Sequence, residues 1–347
     1  MSLGPIMLGL SGTTIQAQER EMLLHPLTGG VVLFSRNYES TEQLTELVSE
    51  IHALREPHLL VAVDHEGGRV QRFRAGFTEL PAIGQLGLVY DEDQKRAQTL
   101  SETSGWLMAA ELRAVGIDFS FAPVLDLDRG ISKVIGDRAF HKSPEVIAEL
   151  AQHYIRGMHQ AGMAAIIKHF PGHGSVSEDS HLAVPIDKRR FADIEAEDML
   201  PFQRLSHVGV EGMMIAHVIY EQVDAKMAGF SKVWLQDILR QQYNFQGVIF
   251  SDDLEMAGAK IEGDIPQRVL STLQAGCDMA LVCQSEKAMS EALEGVSEWH
   301  VPASQLRLIR LHGRTSESRV QLQASKKWQQ AVTSVQSYEV PHTLNLI

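Results

Sequence analysis

Cysteine is scarce in this chain of 347 residues, which contains only Cys277 and Cys283. The two lie six positions apart, a spacing that forms neither a metal-binding nor a redox motif. A disulfide between them is possible, but nothing in the sequence requires one. We therefore expect the reducing environment of the cytoplasm.

Long apolar runs are also missing. No stretch approaches the roughly 18 residues that a membrane-spanning helix requires. The N-terminal segment PIMLGL has no basic residue before Arg20, so it lacks the charged start and the apolar length of a secretion signal. We expect a cytoplasmic protein without membrane association.

Basic residues are outnumbered, because 31 Lys and Arg stand against 44 Asp and Glu and give a net charge of −13. This charge argues against nucleic acid or an anionic membrane as a partner, but it does not exclude neutral substrates such as sugars. Linkers, repeats and low-complexity segments are missing as well. We expect one monomeric domain over residues 1–347, with a polar, helical tail from about residue 315 packed on its outside.

What the chain does contain is a series of short apolar runs of β character, each followed by a helical pattern. The runs begin near Pro5, Gly30, His58, Ile117, Met163, Gly212, Gly247 and Asp278. Helical spacing covers residues 41–54, 93–114, 144–160, 191–205, 232–241 and 267–275. N-caps are predicted at Ser40, Ser143 and Ser231. Eight β/α units imply parallel strands, and eight is the number that closes a (β/α)8 TIM-type barrel.

A doubly wound open sheet is the alternative α/β fold, but no GxGxxG motif follows the first strand. The strand ends favour the barrel, because in such barrels the chemistry lies at the carboxyl ends of the strands. Five predicted strands end in ionisable residues, which are Asp64, Asp126, Lys168 with His169, His217, and Asp252 with Asp253. Core packing does not explain why five strands converge on one polar face.

The segment 168–181, KHFPGHGSVSEDSH, has the densest group of ionisable side chains. One lysine, three histidines and two acids surround turn-forming proline and glycine residues, directly after the apolar strand that begins near Met163. Ionisable groups on a glycine-rich loop at a strand end indicate an active site. A solvated polar loop is the alternative interpretation.

The segment DHEGGRVQR, from Asp64 to Arg72, follows the third strand. Gly67 and Gly68 permit a backbone conformation, or a close approach, that a side chain would block. Asp64 and Arg72 then either hold hydroxyls of a polar ligand or form a structural pair that stabilises a turn.

Two further motifs leave alternatives open. In GDRAF, Arg138 either offers a fixed hydrogen-bonding fork or forms a surface salt bridge with Asp137 or another neighbouring acid. In SDD, Asp252 and Asp253 point to opposite sides of a strand, so one faces the barrel axis and the other is structural; alternatively, both cap the following helix. His217 is a core or a functional histidine.

KHFPGHG followed by DSH, with SDDLEM downstream and DHEGGRVQR upstream, resembles the family 3 glycoside hydrolases. More closely, the chain resembles their cytoplasmic, single-domain bacterial β-N-acetylglucosaminidases of cell-wall recycling, and the resemblance extends through PIMLGL, GGVVLFSRNY and FAPVLDLD. The resemblance implies that Asp252 is the catalytic nucleophile, His181 the general acid/base and Asp179 its partner. It further implies that the N-acetylglucosamine ring is held by Asp64, Arg72, Arg138, Lys168 and His169.

The implied reaction is retaining hydrolysis of terminal β-linked N-acetylglucosamine through a covalent glycosyl-aspartate, without a metal or other cofactor. The expected substrates are muropeptides in which N-acetylglucosamine is linked to anhydro-N-acetylmuramic acid carrying a peptide. A histidine suits proton transfer near neutrality, because its ordinary pKa is about 6.5. The glycines and serines near His181 suggest a loop that closes over bound sugar.

Two rival functions remain at the level of sequence. The first is a barrel metallohydrolase, with a ligand set drawn from His169, His173, His181, His217 and Asp252. The first strand, however, does not end in the HxH that would favour it. The second rival is a sugar-binding barrel without catalysis, which would leave the Asp179–His181 pair without a purpose.

Overall fold

A computed structural model describes residues 2–176, 184–297, 299–314 and 316–338. Eight parallel strands form a closed barrel, in which each strand pairs with the next along the chain and the last pairs with the first. Strands β1 to β8 are Ile6–Leu8, Thr28–Leu33, Leu60–Val63, Phe119–Ser120, Ala164–Phe170, Gly212–Ile215, Val248–Asp253 and Met279–Val282. The predicted (β/α)8 fold is confirmed, and the doubly wound alternative is wrong.

Helices surround the barrel. The α-helices α1 to α12 are Ala17–Leu24, Thr41–Ala53, Gly84–Glu92, Gln94–Arg113, Pro144–Gln160, Phe191–Ala196, Leu200–Ser206, Ile265–Ala275, Glu286–Gly295, Pro302–Leu308, Arg319–Ala324 and Lys326–Gln336. A π-type helix covers Val233–Gln242, and short 3-10 segments cover Ser35–Asn37, Gly136–Arg138, Ala228–Phe230, Ala257–Glu262 and Ile309–Leu311.

The predicted N-caps are present. The side chains of Ser40, Ser143 and Ser231 accept hydrogen bonds from backbone N–H groups three residues further on, at 3.1, 3.5 and 3.2 Å. These bonds satisfy donors that the first turn of a helix leaves without a partner.

Two elements differ from the prediction. Strand β4 was expected to continue past Phe121, but Pro123 has no N–H to donate to a neighbouring strand, and beyond it only an isolated bridge joins Val124 to Lys168. The helix expected over 191–205 is divided into α6 and α7. Pro201 lies in the first turn of α7, the position that best tolerates proline, and therefore begins a new helix.

The core fills the barrel and the layer between strands and helices. Inside the barrel the rings of Phe119, Phe121 and Phe250 lie within 5.3–5.7 Å of one another, centroid to centroid. Outside it, α12 packs on α4, where the Trp328 indole N–H donates to buried Glu111 at 2.8 Å. The described residues end at 338. That a single domain covers residues 1–347 therefore stays a prediction.

Cys277 and Cys283 are both buried free thiols. Within the described parts of the chain, no helix combines the length and the hydrophobicity needed to span a bilayer.

Candidate active site

A cavity of about 850 Å³ opens at the carboxyl ends of the barrel strands. Its wall includes six of the residues predicted from the sequence, namely Asp64, Arg72, Arg138, Lys168, His169 and Asp252. The other two, Asp179 and His181, lie outside the described residues.

Glu66 is the centre of a charged network in this wall, and sequence reasoning missed it. Lys168 Nζ lies 2.6 Å from one carboxylate oxygen of Glu66 and 2.8 Å from Asp64 Oδ1. The Arg138 guanidinium donates a hydrogen bond to each carboxylate oxygen of Glu66 at 2.8 Å, and Arg72 lies 3.4 Å from Asp64. Burial raises the pKa of Glu66, but Arg138 and Lys168 outweigh it and hold that pKa far below its usual range.

The same balance applies to Asp64. Burial raises the pKa of this carboxyl, while Lys168 and Arg72 lower it, and the net shift is downward. Asp64 and Arg72 therefore form the structural pair that the sequence suggested and also border the cavity, so the two interpretations are compatible.

The local backbone explains why two acids of one segment meet the same lysine. The short strand His65–Gly67 follows β3, and alternate residues of extended chain lie on one side, which brings Asp64 and Glu66 together. Gly67 and Gly68 have φ values of +109° and +54°. A Cβ on Gly68 would lie 2.8 Å from the Cβ of Ala82, so both the conformation and the close approach that were predicted are present.

Arg138 does form a salt bridge, but not the surface bridge considered from the sequence. Its partner is buried Glu66, whereas Asp137 lies 3.3 Å from Arg69 instead. The Glu66–Arg138 pair could not be predicted from the sequence, because the two residues are far apart in the chain and belong to loops that follow different strands.

Asp126 holds His169 in place. Asp126 Oδ2 lies 2.6 Å from His169 Nδ1, and Oδ1 accepts the backbone N–H of His173 at 2.7 Å. Burial raises the pKa of Asp126, but His169 lowers it further, so the carboxylate is ionised and draws the proton to Nδ1. In the neutral ring the lone pair is then on Nε2.

The adjacent carboxylates of SDD differ in environment. Burial raises the pKa of Asp252, but His217, His169 and the N–H of Asp253 outweigh it, so the pKa lies below its usual value. Burial raises the pKa of Asp253 to about 6. Asp253 also accepts the backbone N–H of Glu255 at 3.0 Å. Both carboxylates border the cavity, where Asp252 stays ionised, and Asp253 also stabilises the following turn.

His217 is a packing residue next to the site. It is fully buried, stacks on Phe230 at 6.1 Å with an interplanar angle of 6°, and its Nε2 lies 3.0 Å from the carbonyl oxygen of Asp253. Its ring does not border the cavity. These contacts favour the core alternative, in which His217 fixes the backbone at the end of β7.

Several other cavity residues had no sequence signal of their own. The charged ones are Arg69, Lys133, Glu255 and Lys260, and Gln284 also borders the space. His173, a histidine of the segment 168–181 that the sequence did single out, lies there as well. Alternation with Asp64 could have identified Glu66, but these other residues come from long loops, for which no periodicity applies.

The ligands of the rival metallohydrolase do not come together among the described residues. Among the described residues, the one group of three potential metal ligands is His52, His58 and Asp118, which does not border the cavity. His169, His173, His217 and Asp252 form no such group.

Residues 6–311 match the glycosyl hydrolase family 3 N-terminal domain. The chain belongs to this family. A relative named β-hexosaminidase, from Thioalkalivibrio sulfidiphilus, is 58% identical over 331 residues, and the alignment covers 95% of each protein. A second protein of that name, from Alkalilimnicola ehrlichii, is 52% identical and covers 98% of this chain and 97% of the relative.

Solved structures of similar proteins agree with the fold. NagZ from Neisseria gonorrhoeae, in complex with N-trifluoroacetyl-D-glucosamine, has a TM-score of 0.93 at 42% identity and covers 98% of this chain and 99% of its own. A family 3 β-N-acetylglucosaminidase from Paenibacillus sp. has a TM-score of 0.86 at 27% identity, and the match covers 96% of this chain and 67% of that protein. The chain is a glycoside hydrolase of the β-hexosaminidase type, which confirms the predicted family and enzyme class.

Proposed function

We propose that this family 3 enzyme is a retaining exo-β-N-acetylglucosaminidase of cell-wall recycling in the cytoplasm. Its substrates are muropeptides in which N-acetylglucosamine is linked to anhydro-N-acetylmuramic acid carrying a peptide. The observation that carries the proposal is the convergence of six side chains on one cavity, with the carboxylate of Asp252 ionised among them. The enzyme acts as a monomer on a small molecule.

Asp252 is the nucleophile in this proposal. One carboxylate oxygen attacks the anomeric carbon while the bond to the leaving oxygen breaks, which forms a covalent glycosyl-aspartate. A nucleophile must be ionised to do this, and the lowered pKa of Asp252 meets that requirement at neutral pH.

His181 is the proton donor and acceptor, an assignment that rests on the family resemblance. It protonates the leaving oxygen, and it then removes a proton from the water that attacks the anomeric carbon and releases Asp252. Asp179 orients the imidazole and stabilises its charged form.

The Glu66 network binds the sugar. Asp64 and Lys168 offer an acceptor and a donor, respectively, to sugar hydroxyls, and their mutual contact at 2.8 Å holds both in position before the substrate arrives. Arg138 and Lys168 are fixed by Glu66 in the same way. A preorganised wall of this kind suits a neutral, hydroxyl-rich ring.

Trapping with a 5-fluoro derivative of an activated N-acetylglucosaminide tests the nucleophile, because the fluorine slows the breakdown of a glycosyl-enzyme. The peptide that carries the label is then identified by mass spectrometry. We expect the label on Asp252. A label on another residue, or inactivation without any covalent label, would contradict the proposal, and Asp252→Ala should abolish hydrolysis of an aryl N-acetylglucosaminide.

The role of His181 is tested by varying the leaving group. His181→Ala should lower kcat by about two to four powers of ten for a poor leaving group. The loss should shrink for aryl groups that leave without protonation. An equal loss for all leaving groups would rule out His181 as the proton donor while leaving the Asp252 assignment intact.

A further inference from the structure

Three histidines and a carboxylate gather at the amino ends of the barrel strands, on the face opposite to the cavity. Asp118 directly precedes β4, His58 lies just before β3, His52 lies in the last turn of α2, and His312 follows the segment Ile309–Leu311. Potential ligand atoms of His52, His58 and Asp118 all lie within 4.8 Å of one another. Four separate parts of the chain meet at this cluster.

Two of the spacings between ring and carboxylate atoms match those of a tetrahedral coordination sphere. Ligand atoms about 2.0–2.1 Å from a zinc ion lie roughly 3.3 Å from each other at a tetrahedral angle. His52 Nε2 and Asp118 Oδ2 are 3.3 Å apart, and His58 Nε2 and His312 Nδ1 are 3.1 Å apart. Two of the six edges of the tetrahedron therefore already have nearly the right length. His312 is not within 4.8 Å of all three other ligand atoms, so its ring would move closer when the ion binds.

Two of the ligands are held in a binding orientation by the backbone. Asp118 is buried, and its two oxygens accept the N–H groups of Val61 and Gly313 at 2.9 Å each. His58 Nδ1 lies 3.2 Å from the carbonyl oxygen of Leu59. Donation from Nδ1 to that carbonyl leaves the lone pair of His58 on Nε2, as in many metal-binding histidines.

His312 is free to present either nitrogen. Its Nε2 is buried and has no hydrogen-bond partner among the described residues. A change of tautomer that moves the proton from Nδ1 to Nε2 therefore breaks no bond at Nε2, and it gives Nδ1 a lone pair. The His58 ring lies 4.0 Å from the His312 ring and 4.2 Å from the His52 ring, so the three rings already converge.

We propose that His52, His58, Asp118 and His312 form a structural binding site for Zn²⁺ that takes no part in the hydrolysis. Three imidazoles and one carboxylate are a typical zinc ligand set and do not suit Mg²⁺ or Ca²⁺, which prefer oxygen. Arg113 lies 3.6 Å from Asp118 and shares its charge, so the site binds less tightly than one with an unshared carboxylate. The ion would join α2, the starts of β3 and β4, and the segment after α10.

Thermal unfolding of the full chain, first treated with a chelator and desalted, tests the site. Zn²⁺ at about a hundred times its dissociation constant should raise Tm by about 4 °C in a protein of this size. His58→Gln and His312→Gln should each weaken Zn²⁺ binding at least about tenfold in calorimetric titration and reduce the Tm rise. Asp118 is unsuited to this test, because its substitution would also remove acceptors from two backbone N–H groups.

Matched variants separate this site from other histidines and from the cavity. Exposed His300→Gln should keep the full response, and so should Asp252→Asn, which alters only the cavity. Anomalous scattering at the zinc edge should place the ion among His52, His58 and Asp118. A Tm without response to Zn²⁺, equal responses of His58→Gln and His300→Gln, or an ion at another position would each overturn the proposal.

Discussion

Glu66 lies between two cations of the cavity wall, because Lys168 and Arg138 both bind its carboxylate at 2.6–2.8 Å. Glu66→Gln keeps the shape of the side chain but removes its charge, which leaves the Arg138 guanidinium without a close anion. We expect a loss of about 3 kcal/mol in the free energy of unfolding. We also expect kcat/KM to fall at least about tenfold, since Arg138 loses the carboxylate that fixes it and Lys168 is then held by Asp64 alone.

Denaturant titration and steady-state kinetics measure the two effects of Glu66→Gln. The control is Glu79→Gln, which removes the exposed partner of Arg74 at 2.8 Å and should change stability by less than about 0.5 kcal/mol. Equal effects of the two variants would show that the network does not depend on the charge of Glu66.

Asp253 makes stability depend on pH. Its pKa is about 6 in the folded protein and about 4 in the unfolded chain, so the protonated group favours the folded state below pH 4. This contribution is lost as the pH rises through 6, because the buried carboxyl then becomes charged. Asp253→Asn mimics the protonated form and should stabilise the protein by up to about 2 kcal/mol at pH 8, with little effect at pH 4.

Unfolding titrations of wild type and Asp253→Asn at these two pH values check this expectation. Asp237→Asn, on the exposed face of Val233–Gln242, serves as the control, because water solvates its carboxylate in both states. A gain for Asp253→Asn of the same size at both pH values would contradict the raised pKa of Asp253.

At the scale of elements, helices and strands with a regular sequence pattern could be predicted, whereas the places where a helix or strand is interrupted could not. The helix predicted over 144–160 has those bounds as α5, because Ser143 caps it and Pro144 begins it. Strand β4 and the α6–α7 pair differ from prediction because one proline in each outweighs a local apolar pattern. Asp64 and Lys168 could be predicted from their strand ends, whereas Glu66–Arg138 depends on loop geometry that no periodicity encodes.

The loop after β3 supplies the element-scale prediction. Gly68→Ala places a side chain at a positive φ, which costs about 1–2 kcal/mol, and brings its Cβ against Ala82, which adds about 1–3 kcal/mol. The loop must move to relieve this contact, so Asp64 and Arg72 shift and kcat/KM should fall at least about tenfold. Denaturant titration and kinetics measure the two losses.

Gly209→Ala isolates the backbone cost of a positive φ. Gly209 has a φ of +88° with no atom within 4 Å of the added Cβ, and it lies outside the cavity wall. This variant should lose only about 1–2 kcal/mol of stability and keep its kcat/KM. Full activity in Gly68→Ala would show that the loop does not position the sugar-binding residues.

At the scale of the whole molecule, the two faces of the barrel have different roles. Charged residues with shifted pKa values surround the cavity at the carboxyl face, as expected for the chemistry of this fold. The amino face holds the His52, His58, Asp118 and His312 cluster, where contacts affect stability rather than catalysis. Because the barrel separates the faces, removal of a metal from the amino face should not disturb the cavity.

Exhaustive chelation tests this separation and also the rival metallohydrolase. We expect the treated enzyme to keep its kcat/KM at temperatures well below its Tm, because the proposed reaction uses only Asp252, His181 and the cavity wall. Its Tm should fall relative to enzyme saturated with Zn²⁺, since the ion stabilises only the folded state. A loss of turnover with an intact circular dichroism spectrum, restored by added Zn²⁺, would instead place a metal in the reaction.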